Sequence, residues 1–231
     1  RDLHLSIRRQ RQMCIRDRLD GYATTSAIAQ RAKELGMDAV ALTDHGVMYG
    51  AMDFYAAAKK AGVKPIIGME AYMAPGHRSE PMTRGGKNYY HMVLLARNVE
   101  GYRNLVKLTT RAHLEGMGKG VFARPRVDRE LLEQYHEGLI ATSSCIAGEL
   151  IQTIMEKDRA KARETAAYYR DLFGPEHFYL ELQRHENTPE LDEINEEIVR
   201  IGQELGIPLV ATADTHFVNA DDVEAHKHIM A

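Results

Sequence analysis

Seven residues of the chain combine metal-binding side chains with positions at or near short apolar runs. Imidazole and thiolate groups favour Zn²⁺, Mn²⁺ or Fe ions, and carboxylates can bridge two such ions. Most members of the set close an apolar run, as a ligand at the end of a buried strand would. The candidate metal ligands are Asp20, His45, Glu70, His91, Cys145, Asp214 and His216.

A multinuclear site built from these residues predicts hydrolytic chemistry. Two ions held close together can generate hydroxide from water and stabilise both the attacking and the leaving oxygen at phosphorus. Asp214 and His216 stand two residues apart at the end of PLVATADTH. If that end is a strand, both point to one face, which makes them the strongest local pair. The candidate catalytic residues are Glu70, Asp214 and His216.

Taken singly, several of these residues also have ordinary structural explanations. His45 in TDHG fits a turn or a helix cap, His91 fits a hydrogen-bonded core histidine, and Cys145 fits a small buried apolar residue. Glu70 is harder to explain in this way, because burying a carboxylate after IIG is costly without a cation or a partner. Asp44 either orients a histidine or caps the next helix, and capping is the simpler interpretation.

Basic residues in two glycine-containing loops are weaker candidates, for contact with a substrate phosphate. Solvated loop charge explains them equally well. These residues are Arg84, Lys87, Arg124 and Arg126.

The elements that would position the ligands are repeated β/α units. From residue 26 onward, helical periods alternate with short apolar runs, as in proteins with a parallel sheet. A closed or nearly closed (β/α) barrel explains this order best, because such barrels collect functional residues at the C-terminal ends of their strands. The six predicted strands span residues 38–45, 64–73, 89–98, 137–145, 177–185 and 207–216.

Composition limits the classes of protein to which the chain can belong. Its 231 residues are 44% hydrophobic and 27% charged, typical of a globular protein. The formal charge is -3, and most of the chain is more acidic than this because residues 1–18 are rich in Arg. Contact with nucleic acid should therefore be local, through a few basic residues or bound cations. Two cysteines and no run long enough for a membrane span predict a cytoplasmic protein.

Several motifs in order carry a family resemblance. They are LDG, AVALTDHGVMYGAMDFYAAAKKAGVKPIIGMEAYMAPG, YYHMVLLARNVEGYRNLVKLTT, EGLIATSSCIAGEL and LVATADTHFVNADDVEAH. Over residues 19–231 the chain resembles the polymerase and histidinol phosphatase (PHP) domain at the N-terminus of bacterial DNA polymerase III alpha subunits. The resemblance implies a distorted barrel of seven β/α units that binds up to three ions of Zn²⁺ or Mn²⁺ at the seven candidate ligands.

The resemblance also implies how those ligands divide. Glu70 bridges two ions, and His91 and Cys145 complete one site. Asp20, His45 and His216 form another.

The chain departs from the family pattern at its beginning. The family has a His-x-His pair on its first strand, and counting back from LDG places that pair at Arg11 and Met13. Neither residue type ligates these metals well, so we expect at most two ions and an incomplete site. Residues 1–18 are interpreted as an atypical Arg-rich segment that is not native to the family, which leaves the first strand of the barrel doubtful.

The family resemblance implies a role in DNA replication. The domain would be a metal-dependent phosphoesterase, in some members a 3′ to 5′ exonuclease. The implied partners are DNA, the remainder of the alpha subunit with its Mg²⁺-dependent polymerase domain, the proofreading exonuclease subunit and the sliding clamp, with no membrane. The alternatives are a standalone phosphatase of the histidinol-phosphatase type and a non-catalytic scaffold barrel.

Overall fold

The computed structural model describes residues 12–13, 23–83, 85–118, 123–185 and 188–230. For residues 12, 13, 229 and 230 it describes the backbone only.

A single curled sheet organises this part of the chain. Its strands are β1 (Gln12–Met13), β2 (Ala39–His45), β3 (Lys64–Met73), β4 (Tyr90–Ala96), β5 (Arg126–Val127), β6 (Leu139–Thr142), β7 (Phe178–Leu182) and β8 (Leu209–Ala211). They are hydrogen-bonded in the order β1-β2-β3-β4-β6-β7-β8, with the short β5 paired to β3. Among the described strands no pairing joins β8 to β1, so this barrel-like sheet is open there.

Eight α-helices are described in this part of the chain. They are α1 (Thr25–Glu34), α2 (Ala51–Ala61), α3 (Val99–Glu115), α4 (Arg129–Tyr135), α5 (Glu149–Met155), α6 (Arg159–Phe173), α7 (Glu190–Leu205) and α8 (Val223–Met230). Of these, α1 to α7 form the layer on the outer face of this sheet. Side chains cap several of them: Asn98 accepts from the backbone N–H of Gly101 at the start of α3, and Asp158 accepts from that of Lys161 at the start of α6. Within the described ranges, no helix is long and apolar enough to cross a membrane.

The six predicted strands are confirmed, with shorter ends in the second half of the chain. The strand predicted at 207–216 ends at Ala211, and the one predicted at 137–145 ends at Thr142. The two-residue strands β1 and β5 and the helix α4 were not predicted, because such short elements carry little periodic signal.

The prediction of a uniformly parallel sheet is wrong at β4. This strand runs antiparallel to both of its neighbours, β3 and β6, whereas the other pairings are parallel. A parallel return needs a crossover connection, usually a helix. The described part of the connection from β3 to β4 contains no helix, so the chain turns back directly. As a result, β4 begins at the end of the sheet where β2 and β3 finish.

A short strand occupies the place where the sequence left a first strand in doubt. The backbone of β1 lies parallel to β2, with Gln12 opposite Ala41 and Met13 opposite Leu42. Part of the Arg-rich segment therefore contributes main-chain pairing at this edge.

The main hydrophobic core lies between the sheet and the helices of its outer face. Met92 and Leu94 of β4, Ala141 of β6 and Leu180 of β7 all belong to it. Because side chains alternate along a strand, the residues between them face the concave side of the sheet. The candidate ligands of β2, β3 and β4 are on that concave side.

Close backbone packing fixes the start of α3. A Cβ atom added at Gly101 would lie 1.9 Å from the carbonyl oxygen of Gly138, in the turn before β6. Only glycine allows the helix to approach this turn so closely.

Candidate metal centre

Glu70 lies at the centre of a cluster that it forms with His45 and His91, and it is 2% exposed. Its Oε2 lies 2.6 Å from Nδ1 of His45, and its Oε1 lies 3.4 Å from Nδ1 of His91. One ligand atom from each of these three residues falls within 4.8 Å of the others, a spacing compatible with a shared metal ion. The structure thus brings together three predicted ligands that are distant in sequence.

Strand register explains why these side chains meet. His45 is paired directly with Glu70 across the parallel strands β2 and β3. His91 is paired with Tyr72 across the antiparallel strands β3 and β4, near the start of β4. The reversal of β4 therefore carries His91 to the carboxyl ends of β2 and β3, even though it precedes most of its own apolar run.

The loop after β6 adds a thiol and a hydroxyl to the cluster. Sγ of Cys145 lies 3.5 Å from Nδ1 of His91 and 3.9 Å from Oε1 of Glu70. Ser144, which sequence reasoning missed, donates its hydroxyl to Oε1 of Glu70 at 3.0 Å and adopts a φ of 63°. The backbone strain at Ser144 turns the chain so that both side chains reach Glu70.

Asp214 and His216 lie in the loop that follows β8. The prediction that they share one face of a strand is wrong, because the strand ends at Ala211 and Asp214 has a left-handed φ of 43°. Nδ1 of His216 lies 2.8 Å from the carbonyl oxygen of Asp214. The His216 ring is still close to the cluster, with its centroid 6.2 Å from that of His45.

Charge in the cluster is concentrated and shielded from water. Burial by itself would raise the pKa of Glu70, but hydrogen bonds and charges from His45 and His91 hold it well below its usual range. Burial and the nearby charge of Glu70 raise the pKa of Asp214. Burial also raises the pKa of the Cys145 thiol, with Glu70 adding to the effect. Acidic groups crowded in this way suit a bound cation, which relieves their mutual repulsion.

Aromatic rings surround the histidines. The ring of Tyr72 stacks on that of His45, with centroids 5.9 Å apart and planes at 17°. The ring of Tyr89 is parallel to that of His91 at a centroid distance of 5.9 Å. Alternation along β3 places Tyr72 on the same face as Glu70, a signal that was available in the sequence.

Three of the four predicted phosphate contacts are described, and they lie in different environments. The guanidinium of Arg124 lies 5.9 Å from the Tyr72 ring centroid, beside the histidine cluster. Lys87 is exposed and lies over the ring of Tyr90. Arg126 is 3% exposed and donates to backbone carbonyls, so it serves as a structural residue rather than a phosphate contact. Arg84 lies outside the described residues, and so does the predicted ligand Asp20.

Sequence reasoning also missed residues near Asp214. Glu181 on β7 is 1% exposed, and burial raises its pKa. His185 and His226, which were not among the predicted ligands, are half-buried. The charge of His185 opposes, but does not reverse, the rise in the pKa of Asp214 that burial and Glu70 cause. The His226 ring lies 5.8 Å from that of His216.

A second group with metal-ligand chemistry is already ion-paired with an arginine. Nε2 of His77 lies 3.4 Å from Oε2 of Glu130 and 3.9 Å from Oδ2 of Asp128. Nη1 of Arg78 contacts the same two carboxylates at 3.1 Å and 2.9 Å. These contacts connect the loop after β3 to the start of α4, so we interpret the group as structural rather than as a metal site.

The fold and the site together define an α/β barrel-type protein with a candidate metal centre at the carboxyl ends of its strands. The PHP domain family matches residues 14–185. The chain belongs to this family.

Similar proteins include DNA polymerase III alpha subunits from several bacteria. The one from Borreliella burgdorferi is 46% identical over 213 residues, which cover 92% of this chain and 18% of that protein. The one from Saccharopolyspora erythraea is 42% identical over 228 residues, covering 90% of this chain and 19% of that protein. The chain thus spans less than a fifth of the length of these relatives.

Solved structures show the same fold at low sequence identity. An amidohydrolase from Chromobacterium violaceum, with bound sulfate and no metal, superposes with a TM-score of 0.57 and 13% identity, covering 96% of this chain and 97% of that one. A candidate metal-dependent phosphoesterase from Bifidobacterium adolescentis gives a TM-score of 0.50 and 12% identity, with 96% of each chain covered.

Proposed function

We propose that this chain provides the metal-dependent phosphoesterase site of a DNA polymerase III alpha subunit and acts on DNA in replication, as a 3′ to 5′ exonuclease-type site. The observation that carries this proposal is the buried Glu70 carboxylate, which His45 and His91 contact on its two oxygens. A carboxylate flanked in this way offers bridging oxygens beside imidazole ligands, the donor set that zinc and manganese sites use.

The donor chemistry fits Zn²⁺ or Mn²⁺. His45, Glu70, His91 and Cys145 would hold one or two ions, with Asp214, His216 and Asp20 as further ligands. When bound, such ions supply Lewis acidity and activate water for attack at phosphorus. We expect at most two ions per chain, because Arg11 and Met13 stand where the family has a histidine pair.

The chain's own residues prepare the site for a phosphodiester. Ser144 donates to Glu70 and so fixes the carboxylate in one orientation. Glu70, Asp214 and His216 are the residues that we place closest to the chemistry. Arg124, held beside Tyr72, is the strongest candidate to attract a substrate phosphate, and exposed Lys87, in the connection between β3 and β4, is the second.

The relatives suggest a wider assembly. We assign residues 19–231 to the PHP domain and residues 1–18 to an atypical leading segment. As part of an alpha subunit, the domain would lie beside a polymerase domain that uses Mg²⁺, and its partners would include the proofreading exonuclease subunit and the sliding clamp. Such an assembly works in the bacterial cytoplasm.

Metal content and phosphodiester cleavage test the proposal. The protein is stripped with a chelator and reloaded with Zn²⁺ or Mn²⁺, and bound metal and cleavage of bis(p-nitrophenyl) phosphate are then measured. We expect one or two ions per chain and weak cleavage. Replacing His91 by alanine should weaken metal binding roughly 10-fold or more, because a direct ligand is lost.

A matched control comes from a histidine outside the cluster. His113 lies on α3 and contacts the carbonyl oxygen of Thr109 at 2.8 Å, so His113→Ala should leave metal content unchanged. Full metal binding by His91→Ala would refute the proposed centre, and three ions at full occupancy would refute the incomplete site. Metal binding without any cleavage would favour the scaffold alternative.

A further inference from the structure

Glu181 is a buried carboxylate that the proposed metal centre does not use. It lies on β7, and its neighbour Leu180 packs into the main core on the outer face of the sheet. Side-chain alternation therefore places Glu181 on the concave face, which also carries the candidate metal centre. A carboxylate that is 1% exposed is costly unless its oxygens are hydrogen-bonded.

Three side chains satisfy this carboxylate. Oε2 accepts a hydrogen bond from the hydroxyl of Thr142 on β6, and Oε1 accepts one from the hydroxyl of Thr212 after β8. Nε2 of Gln183 donates to Oε1 at 2.8 Å. The carboxylate thus joins three neighbouring positions of the sheet by hydrogen bonds inside a region of low dielectric, where such bonds are strong.

Thr212 links this network to the candidate metal centre. Its backbone N–H donates to the carbonyl oxygen of Leu182 at 3.1 Å, which makes it the last residue of the β8 segment that is tied to β7. Two residues later the chain takes the left-handed conformation of Asp214. The hydroxyl of Thr212 therefore fixes the point from which the Asp214 loop departs.

Gln183 also holds Thr212 in place. Its Nε2 also donates to the hydroxyl oxygen of Thr212 at 3.2 Å. The backbone carbonyl oxygen of Gln183 accepts a hydrogen bond from Nδ2 of Asn195 on α7 at 2.7 Å, which connects the network to the outer helix layer. Thr212 is thus hydrogen-bonded to the backbone of Leu182 and to the side chains of Glu181 and Gln183.

We propose that Glu181 is a positioning residue that, through Thr212, holds the loop carrying Asp214 and His216 against the metal centre. The link to metal binding rests on the proposed function, whereas the hold on the loop does not.

Two pairs of variants separate the hydroxyl–carboxylate contact from simple packing. Thr212→Val keeps the shape of the side chain and removes the hydroxyl, and Thr212→Ser keeps the hydroxyl. Glu181→Leu removes the carboxylate, and Glu181→Gln keeps an oxygen that can accept from Thr212.

The first measurement is hydrogen–deuterium exchange of the metal-free protein. We expect faster exchange in the segment 212–218 for Thr212→Val and Glu181→Leu, and exchange like that of the unsubstituted protein for Thr212→Ser and Glu181→Gln. Equal exchange in this segment for Thr212→Val and Thr212→Ser would overturn the inference, whatever the result with metal.

The second measurement is a Zn²⁺ titration against a competing chelator. Residues that orient metal ligands typically contribute 10- to 100-fold to metal affinity, so Thr212→Val and Glu181→Leu should lose roughly 10-fold or more. The Ser and Gln variants should keep the affinity of the unsubstituted protein. If the unsubstituted protein binds no Zn²⁺, the proposed function fails, and the exchange result alone then decides whether Glu181 positions the loop. Loosened exchange with unchanged Zn²⁺ affinity would refute the link to metal binding.

Discussion

Replacing Arg126 by alanine should destabilise the protein without removing a substrate contact. The sequence placed Arg126 among the candidate phosphate contacts, but its guanidinium is buried and points at the backbone. Nη2 donates to the carbonyl oxygens of Arg78, at 2.8 Å, and Glu80. Longer contacts reach Asn88 at 3.4 Å and Gly116 at 3.5 Å. Alanine would leave these carbonyls without their charged donor.

The magnitude follows from the two short bonds. A hydrogen bond from a charged group contributes about 1.5–3 kcal/mol, and the long contacts add little. We therefore expect Arg126→Ala to lower the free energy of unfolding by about 3–6 kcal/mol, the sum over the two bonds. For a chain of this size each kcal/mol shifts Tm by about 2–4 °C, which predicts a decrease of roughly 6–24 °C. Lysine should recover only part of the loss, because a single ammonium group cannot reproduce the planar fork.

Thermal unfolding and phosphodiester binding, measured on the same variants, decide between the two roles of Arg126. Arg124→Ala is the matched control, since Arg124 lies beside Tyr72 and its side-chain hydrogen bond is to its neighbouring carbonyl, that of Ala123. It should keep a Tm close to that of the unsubstituted protein and bind a short single-stranded oligonucleotide more weakly. The structural role of Arg126 would be refuted if Arg126→Ala kept its Tm and lost oligonucleotide binding.

Two further predictions concern stability. Gly101→Ala should lower the free energy of unfolding by roughly 3 kcal/mol or more, because its Cβ would lie 1.9 Å from the carbonyl oxygen of Gly138. Arg103→Ala, on the exposed face of the same helix, should lower it little. Urea unfolding of the two variants tests this. Burial would raise the pKa of Asp128, but hydrogen bonds from the backbone and from Arg78 lower it. Because the folded-state pKa is depressed, this carboxylate stabilises the protein above its unfolded-state pKa of about 3.9, and the contribution is lost as the pH falls through the folded-state value. Asp128→Asn should therefore lower Tm at pH 7 and flatten its fall in acid; an unchanged acid profile would contradict this explanation.

The strands and most ligands of the candidate centre could be predicted because they depend on local patterns. A run such as DAVALTDH identifies both a buried strand and the residue at its end, and the structure places His45 there. The same reasoning identified Glu70 and Cys145 as members of the cluster.

What the sequence did not predict depends on contacts between distant segments. Hydrophobic alternation is the same for a strand of either direction, so the reversal of β4 was not evident, although it places His91. The sequence also does not show where a strand ends when polar residues follow its apolar run. The strand was therefore wrongly extended past Ala211 to include Asp214. The burial of Arg126 arises from carbonyls far away in the chain, and no local pattern reports it.

The hairpin of β3 and β4 has a consequence for the order in which the centre is assembled. Glu70 and His91 belong to consecutive strands joined by residues 74–89, so bringing them together requires closing a smaller loop than the one that brings Asp214 to Glu70. Asp214 and His216 follow β8, so they can join the centre only after all the strands before them have been synthesised. During synthesis from the N-terminus, we expect the Glu70 and His91 half to be in place before the segment with Asp214 has been translated. A truncation before β8 would then keep Glu70 beside His91 but lack Asp214 and His216, the residues that complete the proposed centre.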